Sequence, residues 1–341
     1  MINVLIITNE LRHVCGISNH IKCLVNGLNE YSSDLNFILL CGNAESNNLK
    51  DEFKCKVIVD GKILHSGRSV FNFAKSVIFI KSLIKTYDIN IIHSHNHYSA
   101  NLSYFAARFT KTLTMQTNHG IIHGTGKLNP YKADKYIVLS KRIKNSLINK
   151  SKIKPESIIQ INPGIQLNNN RLNKSVSYGK INVLAASRFV KEKGLQGYIK
   201  AANSISNDNQ DRQKFYISGD GEYRQELVAL NESSGNYVEF VDPLNAFSQV
   251  FEKANIFIYC SLSESEGVPA VILEAIANNC LVISSSFEGC KDIFSADYKD
   301  LTYEPDNINE LIEKIEYAVN EQFKKEYDYP DELDQNDLND E

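Results

Sequence analysis

The chain reads as an α/β protein made of two successive parallel-sheet domains, and three observations predict this. Short apolar runs of strand length alternate with amphipathic stretches of helix length along most of the 341 residues, the βαβ rhythm of parallel sheets. The rhythm breaks once, at a polar and aperiodic stretch covering residues 166–180, and then restarts. With 43% hydrophobic and 23% charged residues the chain has ordinary globular composition and enough length for two cores.

Each element follows from the local pattern. In the first half, strands are expected near Asn3–Thr8, Leu35–Cys41, Lys56–Val59, Ile89–His93, Thr112–Gln116 and Lys135–Leu139, with helices between them and the first helix near Ile17–Leu28. Ser140 follows the last of these strands and is placed to cap the next helix, because its hydroxyl can accept from a free N–H of the first turn. After the linker, strands are expected near Ile181–Ala186, Lys214–Ser218, Tyr237–Val241, Ile256–Cys260 and Leu281–Ser284. Helices fall near Leu195–Ile205, Glu222–Leu230, Pro269–Asn278 and Ile308–Val319. The domains are therefore expected at residues 1–165 and 181–326, with an acidic tail over 327–341 whose Asp/Asn-rich composition cannot support a core.

Composition narrows the class further. The most apolar long window, Ser69 to Ile84, contains Lys75 and Lys81, so it reads as a buried or interfacial helix and not as a bilayer span. The amino terminus lacks the basic region of a signal peptide and reads as a strand, which predicts a cytoplasmic protein. Seven scattered cysteines without a Cys-x-x-Cys pair read as reduced core residues. Charge is sharply divided: residues 1–165 hold 21 Lys and Arg against 10 Asp and Glu, whereas residues 166–341 hold 16 against 31. The basic half predicts an anionic partner such as a membrane surface or a phosphate-bearing acceptor. Nucleic acid is not expected, since the basic residues do not alternate with aromatics as in RNA-binding sheets.

The segment Glu264 to Glu274, ESEGVPAVILE, carries the sharpest chemical signal. Pro269 suits the start of a helix, and from Ala270 to Ala277 every residue but Glu274 is apolar. A carboxylate in such a helix needs a partner, because an ionised Glu buried without donors costs several kcal/mol. The vicinal hydroxyls of a ribose would serve, and the free N–H groups at the helix start could meet a phosphate or sugar oxygen. A buried Arg–Glu or Lys–Glu pair would serve equally. Arg188 and Lys193, in the loop after the strand Ile181–Ala186, could grip a diphosphate, the first as a planar fork and the second as a point charge. An ordinary surface loop would look the same.

The spacing of the carboxylates in EGVPAVILE resembles the signature of retaining glycosyltransferases of family 4, and Arg188 and Lys193 resemble the diphosphate clamp of that family. The resemblance implies the GT-B fold, two Rossmann-like domains facing across a cleft, and covers residues 2–320. It also implies a nucleotide-diphosphate sugar as donor, a saccharide or lipid-linked acceptor, no cofactor and no metal. The family's roles fall on Glu274 for the ribose, on Glu266 with Gly267 and Val268 for the sugar hydroxyls, and on Gly219 for the nucleotide pocket. From the first domain, Gly16 would approach the donor phosphates and His119 the donor sugar, with His95 and His97 lining the acceptor side. Two departures accompany this: Asn162 is followed by Pro163, with no Asp after it, and Asp242 stands where the family has Gly.

Other readings stay open. Gly16 is one glycine where a phosphate loop has several, so it could simply relieve strain in a β–α turn. His93, His95 and His97 alternate, and strand geometry would put all three imidazoles on one side, as in a metal-dependent hydrolase. A nucleotide-sugar binder without turnover is the remaining alternative. If the acceptor is lipid-linked, the protein belongs at the inner face of a membrane.

Overall fold

The computed structural model describes residues 1–13, 15–67, 69–121, 132–164, 181–208, 213–242, 251–263, 269–287, 290 and 301–320. The chain divides into two compact units between Pro163 and Gly164. The expected linker and acidic tail lie outside the described residues.

The first unit contains, in chain order, β1 (Ile2–Leu11), α1 (Gly16–Tyr31), β2 (Leu35–Ala44), α2 (Asn47–Asp51), β3 (Lys56–Val59) and α3 (Val70–Thr86). It continues with β4 (Ile91–Ser94), α4 (His97–Ala107), β5 (Leu113–Asn118), β6 (Lys135–Val138), α5 (Lys141–Asn149) and β7 (Ile158–Gln160). All seven strands are parallel, in the order β3-β2-β1-β4-β5-β6-β7. Alternate residues of β1 feed opposite cores: Leu5 and Ile7 pack with Ile80 and Leu83 of α3 and Leu102 of α4, whereas Val4 and Ile6 pack with Ile21 and Val25 of α1. Helices on both faces explain why the strands read as continuous apolar runs and not as alternating ones. Side-chain caps start four helices: Ser46 accepts from Leu49 N at 3.1 Å, Ser69 from Asn72 N at 3.1 Å, Asn96 from Ser99 N at 2.9 Å, and Ser140, as expected, from Ile143 N at 3.2 Å.

The second unit repeats the plan with β8 (Ile181–Ala186), α6 (Leu195–Asp208), β9 (Gln213–Ser218), α7 (Arg224–Ser233), β10 (Val238–Val241), β11 (Ile256–Tyr259), α8 (Ala270–Ala277), β12 (Leu281–Ser285), β13 (Thr302–Tyr303) and α9 (Ile308–Asn320). Its six-stranded parallel sheet runs β10-β9-β8-β11-β12-β13. One core holds Val183, Ala185, Phe215 and Ile258 with Tyr198 and Ile199 of α6 and Ile315 of α9; the other holds Leu184, Phe257 and Tyr259 with Ile272 and Ala275 of α8. All seven cysteines are free.

Several expectations need correction. The edge strands β7 and β13, of three and two residues, were not expected, being too short to carry a hydrophobic period. β1 continues three residues past Thr8 because Glu10 and Leu11 still pair with Asn43 and Ala44 of β2. β4 ends at Ser94, so His97 does not belong to the strand but opens α4. Among the described residues no helix is long and apolar enough to cross a membrane.

Candidate functional site

Open parallel sheets bind ligands beyond the carboxyl ends of their strands, where the strand order reverses direction. In the first unit that switch point lies between β1 and β4, and histidines gather around it. His20 comes from α1, His93 and His95 from β4 and its end, and His119 from the residue after β5. The Nδ1 of His95 and the Nε2 of His119 are 3.1 Å apart. Ring centroids of His20 lie 4.9 Å from His119 and 5.5 Å from His95, and the His93 ring lies 4.4 Å from that of His95. His93 Nε2 meets Thr117 Oγ1 at 2.7 Å, while His97 Nδ1 accepts from Gln116 Nε2 at 3.0 Å.

This corrects the expected alignment of His93, His95 and His97. Helical geometry begins at His97 and turns its ring to Gln116, so the hydrolase reading loses its third ligand. His20 replaces it: among the described residues, ligand atoms of His20, His95 and His119 lie within 4.8 Å of one another. Sequence reasoning missed His20, since a helical histidine 73 residues before His93, the next of the cluster, carries no local signal. Its position one turn after Gly16, on the helix that opens beside β1, was the available hint.

Burial sets the charge of the cluster. It lowers the pKa of His20 and of His97 to about 4, and that of His93 to about 3 with a further contribution from His20. His95 and His119 are held well below the ordinary value by burial first and by neighbouring imidazoles second. At neutral pH the rings are therefore uncharged donors and acceptors. Gly16, the exposed first residue of α1, has no heavy atom within 4 Å of an added Cβ and no positive φ, so strain relief does not explain it.

In the second unit the switch point lies between β8 and β11. The loop after β8 carries Arg188, which is exposed, and Lys193, which is 9% exposed with its Nζ 5.9 Å from the centre of the Tyr259 ring at the end of β11. Two glycines let the loop sit where it does. Gly194 adopts φ +68°, and a Cβ there would lie 1.8 Å from the carbonyl oxygen of Cys260. Gly219, at φ +150°, would put a Cβ 1.9 Å from Ser187 O, and the two loops are joined by Ser187 N to Ser218 O at 3.1 Å and Phe189 N to Asp220 O at 2.9 Å.

Glu274 stands on α8, which packs on the same sheet, but it is half-buried and not enclosed as the apolar pattern suggested, because its helix faces are covered through Ile272, Leu273, Ala275 and Ile276. Pro269 precedes α8 as its N-cap. Glu266, Gly267 and Val268 lie outside the described residues. Asn162 and Asp242, the two departures from the family pattern, are both exposed.

Two Rossmann-like units, each with polar or charged groups at its switch point, define the class as a two-domain α/β protein of the GT-B type. Residues 169–336 match the family described as "Glycosyl transferases group 1", and residues 14–169 match "Glycosyltransferase Family 4". The chain belongs to the family 4 glycosyltransferases. Among its relatives is a Campylobacter jejuni GalNAc-alpha-(1->4)-GalNAc-alpha-(1->3)-diNAcBac-PP-undecaprenol alpha-1,4-N-acetyl-D-galactosaminyltransferase, 33% identical over 146 residues, which are 42% of this chain and 40% of the relative. An uncharacterized glycosyltransferase of Methanocaldococcus jannaschii is 26% identical over 92% of this chain and 87% of its own length. The fold matches Anabaena HepE, solved in complex with UDP and glucose, at a TM-score of 0.75 and 16% identity over 95% of this chain and 91% of that one.

Proposed function

We propose that the protein transfers a sugar, with retention of anomeric configuration, from a nucleotide-diphosphate sugar to a saccharide or lipid-linked acceptor. The observation that carries this reading is the loop Arg188–Gly194, which brings two cations to the switch point of the second sheet on a backbone that only glycine permits at its end. As the bond from the anomeric carbon to the diphosphate breaks, negative charge grows on the leaving group, and Arg188 and Lys193 neutralise it. No metal is needed for that task, and no cofactor. The acceptor hydroxyl attacks on the face the diphosphate leaves, and its proton passes to a phosphate oxygen. Glu274 binds the ribose, and Glu266 with the Gly267–Val268 backbone holds the sugar hydroxyls. Gly219 closes the nucleotide pocket. In the first unit Gly16 meets phosphate, His119 the reacting sugar, and His95 and His97 the acceptor, as neutral hydrogen-bonding groups.

The Campylobacter relative is named for a saccharide carried on undecaprenol diphosphate, which supports a lipid-linked acceptor here. The outer side of α3 supports contact with such a membrane. Its outer side carries Phe71, Lys75, Ile78, Lys81 and Lys85, with Phe71 67% and Ile78 68% exposed and no acidic residue in the helix. Lys75 Nζ lies 4.1 Å over the Phe71 ring. A phenyl ring and an isoleucine beside lysines suit an interface of acyl chains and anionic headgroups, at the cytoplasmic side.

Thermal-shift titration with uridine, guanosine and adenosine diphosphate sugars tests the donor assignment, because a ligand that binds only the folded state raises the melting temperature. One base series is expected to stabilise the protein, and product anomers read by NMR should match the donor. Stabilisation by none of the three would refute the donor reading; inverted product would refute retention.

A further inference from the structure

The imidazoles at the switch point of the first unit make a donor set that sugar chemistry alone does not require. His20, His95 and His119 come from three different elements, yet their ligand atoms lie within 4.8 Å of one another. Around a tetrahedral zinc ion with Zn–N distances of about 2.0–2.1 Å, neighbouring ligand nitrogens stand about 3.3 Å apart. The 3.1 Å separation of His95 Nδ1 and His119 Nε2 already has that edge length. His20 closes the triangle by a small side-chain rotation, since its ring is half-buried with its centroid 4.9 Å from that of His119. His95 is 1% exposed, so its Nδ1 faces the neighbouring rings and not bulk solvent.

We propose that His20, His95 and His119 form a three-imidazole site for a late first-row divalent cation, zinc(II) above all, and that filling it blocks sugar transfer. Nitrogen donors without a carboxylate favour zinc, nickel and copper over magnesium, calcium and manganese, so the site is unlike one that serves a diphosphate. Three protein ligands leave a fourth position open to water. The inhibitory part rests on the placing of His95 and His119 at the reacting sugars, because a metal that takes their lone pairs removes them from any hydroxyl; the binding part stands without it.

The test uses the full chain without an affinity tag, stripped with EDTA. Equilibrium dialysis against zinc chloride should give one tightly held ion per chain, and cobalt(II) should give the intense visible absorption of a tetrahedral site. His20→Gln should weaken zinc binding by about tenfold or more, His20→Cys should restore it, and His65→Gln, at an exposed histidine of the same unit, should leave it unchanged. Zinc that binds His20→Gln as tightly as the parent, or less than one ion per parent chain, overturns the site. Turnover should fall as zinc fills the parent protein and return with EDTA, whereas His20→Gln should need about tenfold more zinc to lose half of its own metal-free rate. Zinc bound through His20 with turnover undiminished overturns the inhibitory part. Absence of turnover in the metal-free protein would instead count against the transferase reading, and dialysis would still decide the metal site.

Discussion

Replacing Gly194 by Ala probes the loop on which the donor reading depends. The residue sits at φ +68° and ψ 12°, a left-handed conformation that costs an L-residue about 1 kcal/mol. The larger effect is contact. An alanine Cβ would lie 1.8 Å from Cys260 O, so the loop and the end of β11 must part by about 1.6 Å to reach ordinary van der Waals distance. That movement strains the bond from Leu262 N to Glu192 O, now 2.7 Å, and the bond from Gly197 N to Gly194 O, now 2.9 Å. Weakening one or two such bonds adds about 1–2 kcal/mol. A total loss of about 2–3 kcal/mol is expected in urea unfolding, with the slope unchanged. The whole loop from Arg188 to Gly194 moves, its backbone included, so affinity for the donor should fall about tenfold or more. Unfolding midpoints and isothermal titration with the donor read the two effects separately. Unchanged stability together with unchanged donor affinity would show that Gly194 does not make this approach and that the loop is not held as described.

The remaining predictions follow from the same sites. Lys193→Ala and Arg188→Ala should lower kcat about 100-fold while weakening donor binding much less; equal losses in both would mark them as uniform anchors and not as stabilisers of the leaving group. Glu274→Gln should weaken binding of the nucleoside diphosphate, with melting of the unliganded protein shifted little, and a fall in stability of several kcal/mol without ligand would assign Glu274 to a protein cation instead. Turnover should persist in excess EDTA, and a loss restored by one divalent metal would overturn the metal-independent mechanism. The protein should co-sediment with anionic liposomes at low salt and release at high salt, with Phe71→Ser and Ile78→Ser reducing binding; indifference to lipid charge would remove the membrane from the account.

Much of the second unit could be read from residues alone, because its candidate groups sit close to their own strand ends. Arg188 and Lys193 follow β8 within seven residues, and Gly219 follows β9 directly. A strand, its loop and the next helix are local in sequence, and hydrophobic period marks where each begins. Glu274 shows the limit of that logic: an apolar run suggested a buried carboxylate, but a helix on a sheet keeps one side toward solvent, and only packing decides which residue takes it.

The first unit shows what periodicity does not contain. Residues alone determined that parallel strands alternate with helices, that Ser140 caps a helix, that the cysteines do not pair with one another and that histidines stand at the ends of β4 and β5. Tertiary structure decided that β4 lies beside β1 and not beside β3, which brings α1, and with it His20, to His95 and His119. Strand order depends on crossovers and on which apolar faces pack together, interactions between residues far apart in the chain, and no local pattern encodes them. The same ordering fixes where each sheet changes direction, and so where its ligands can bind.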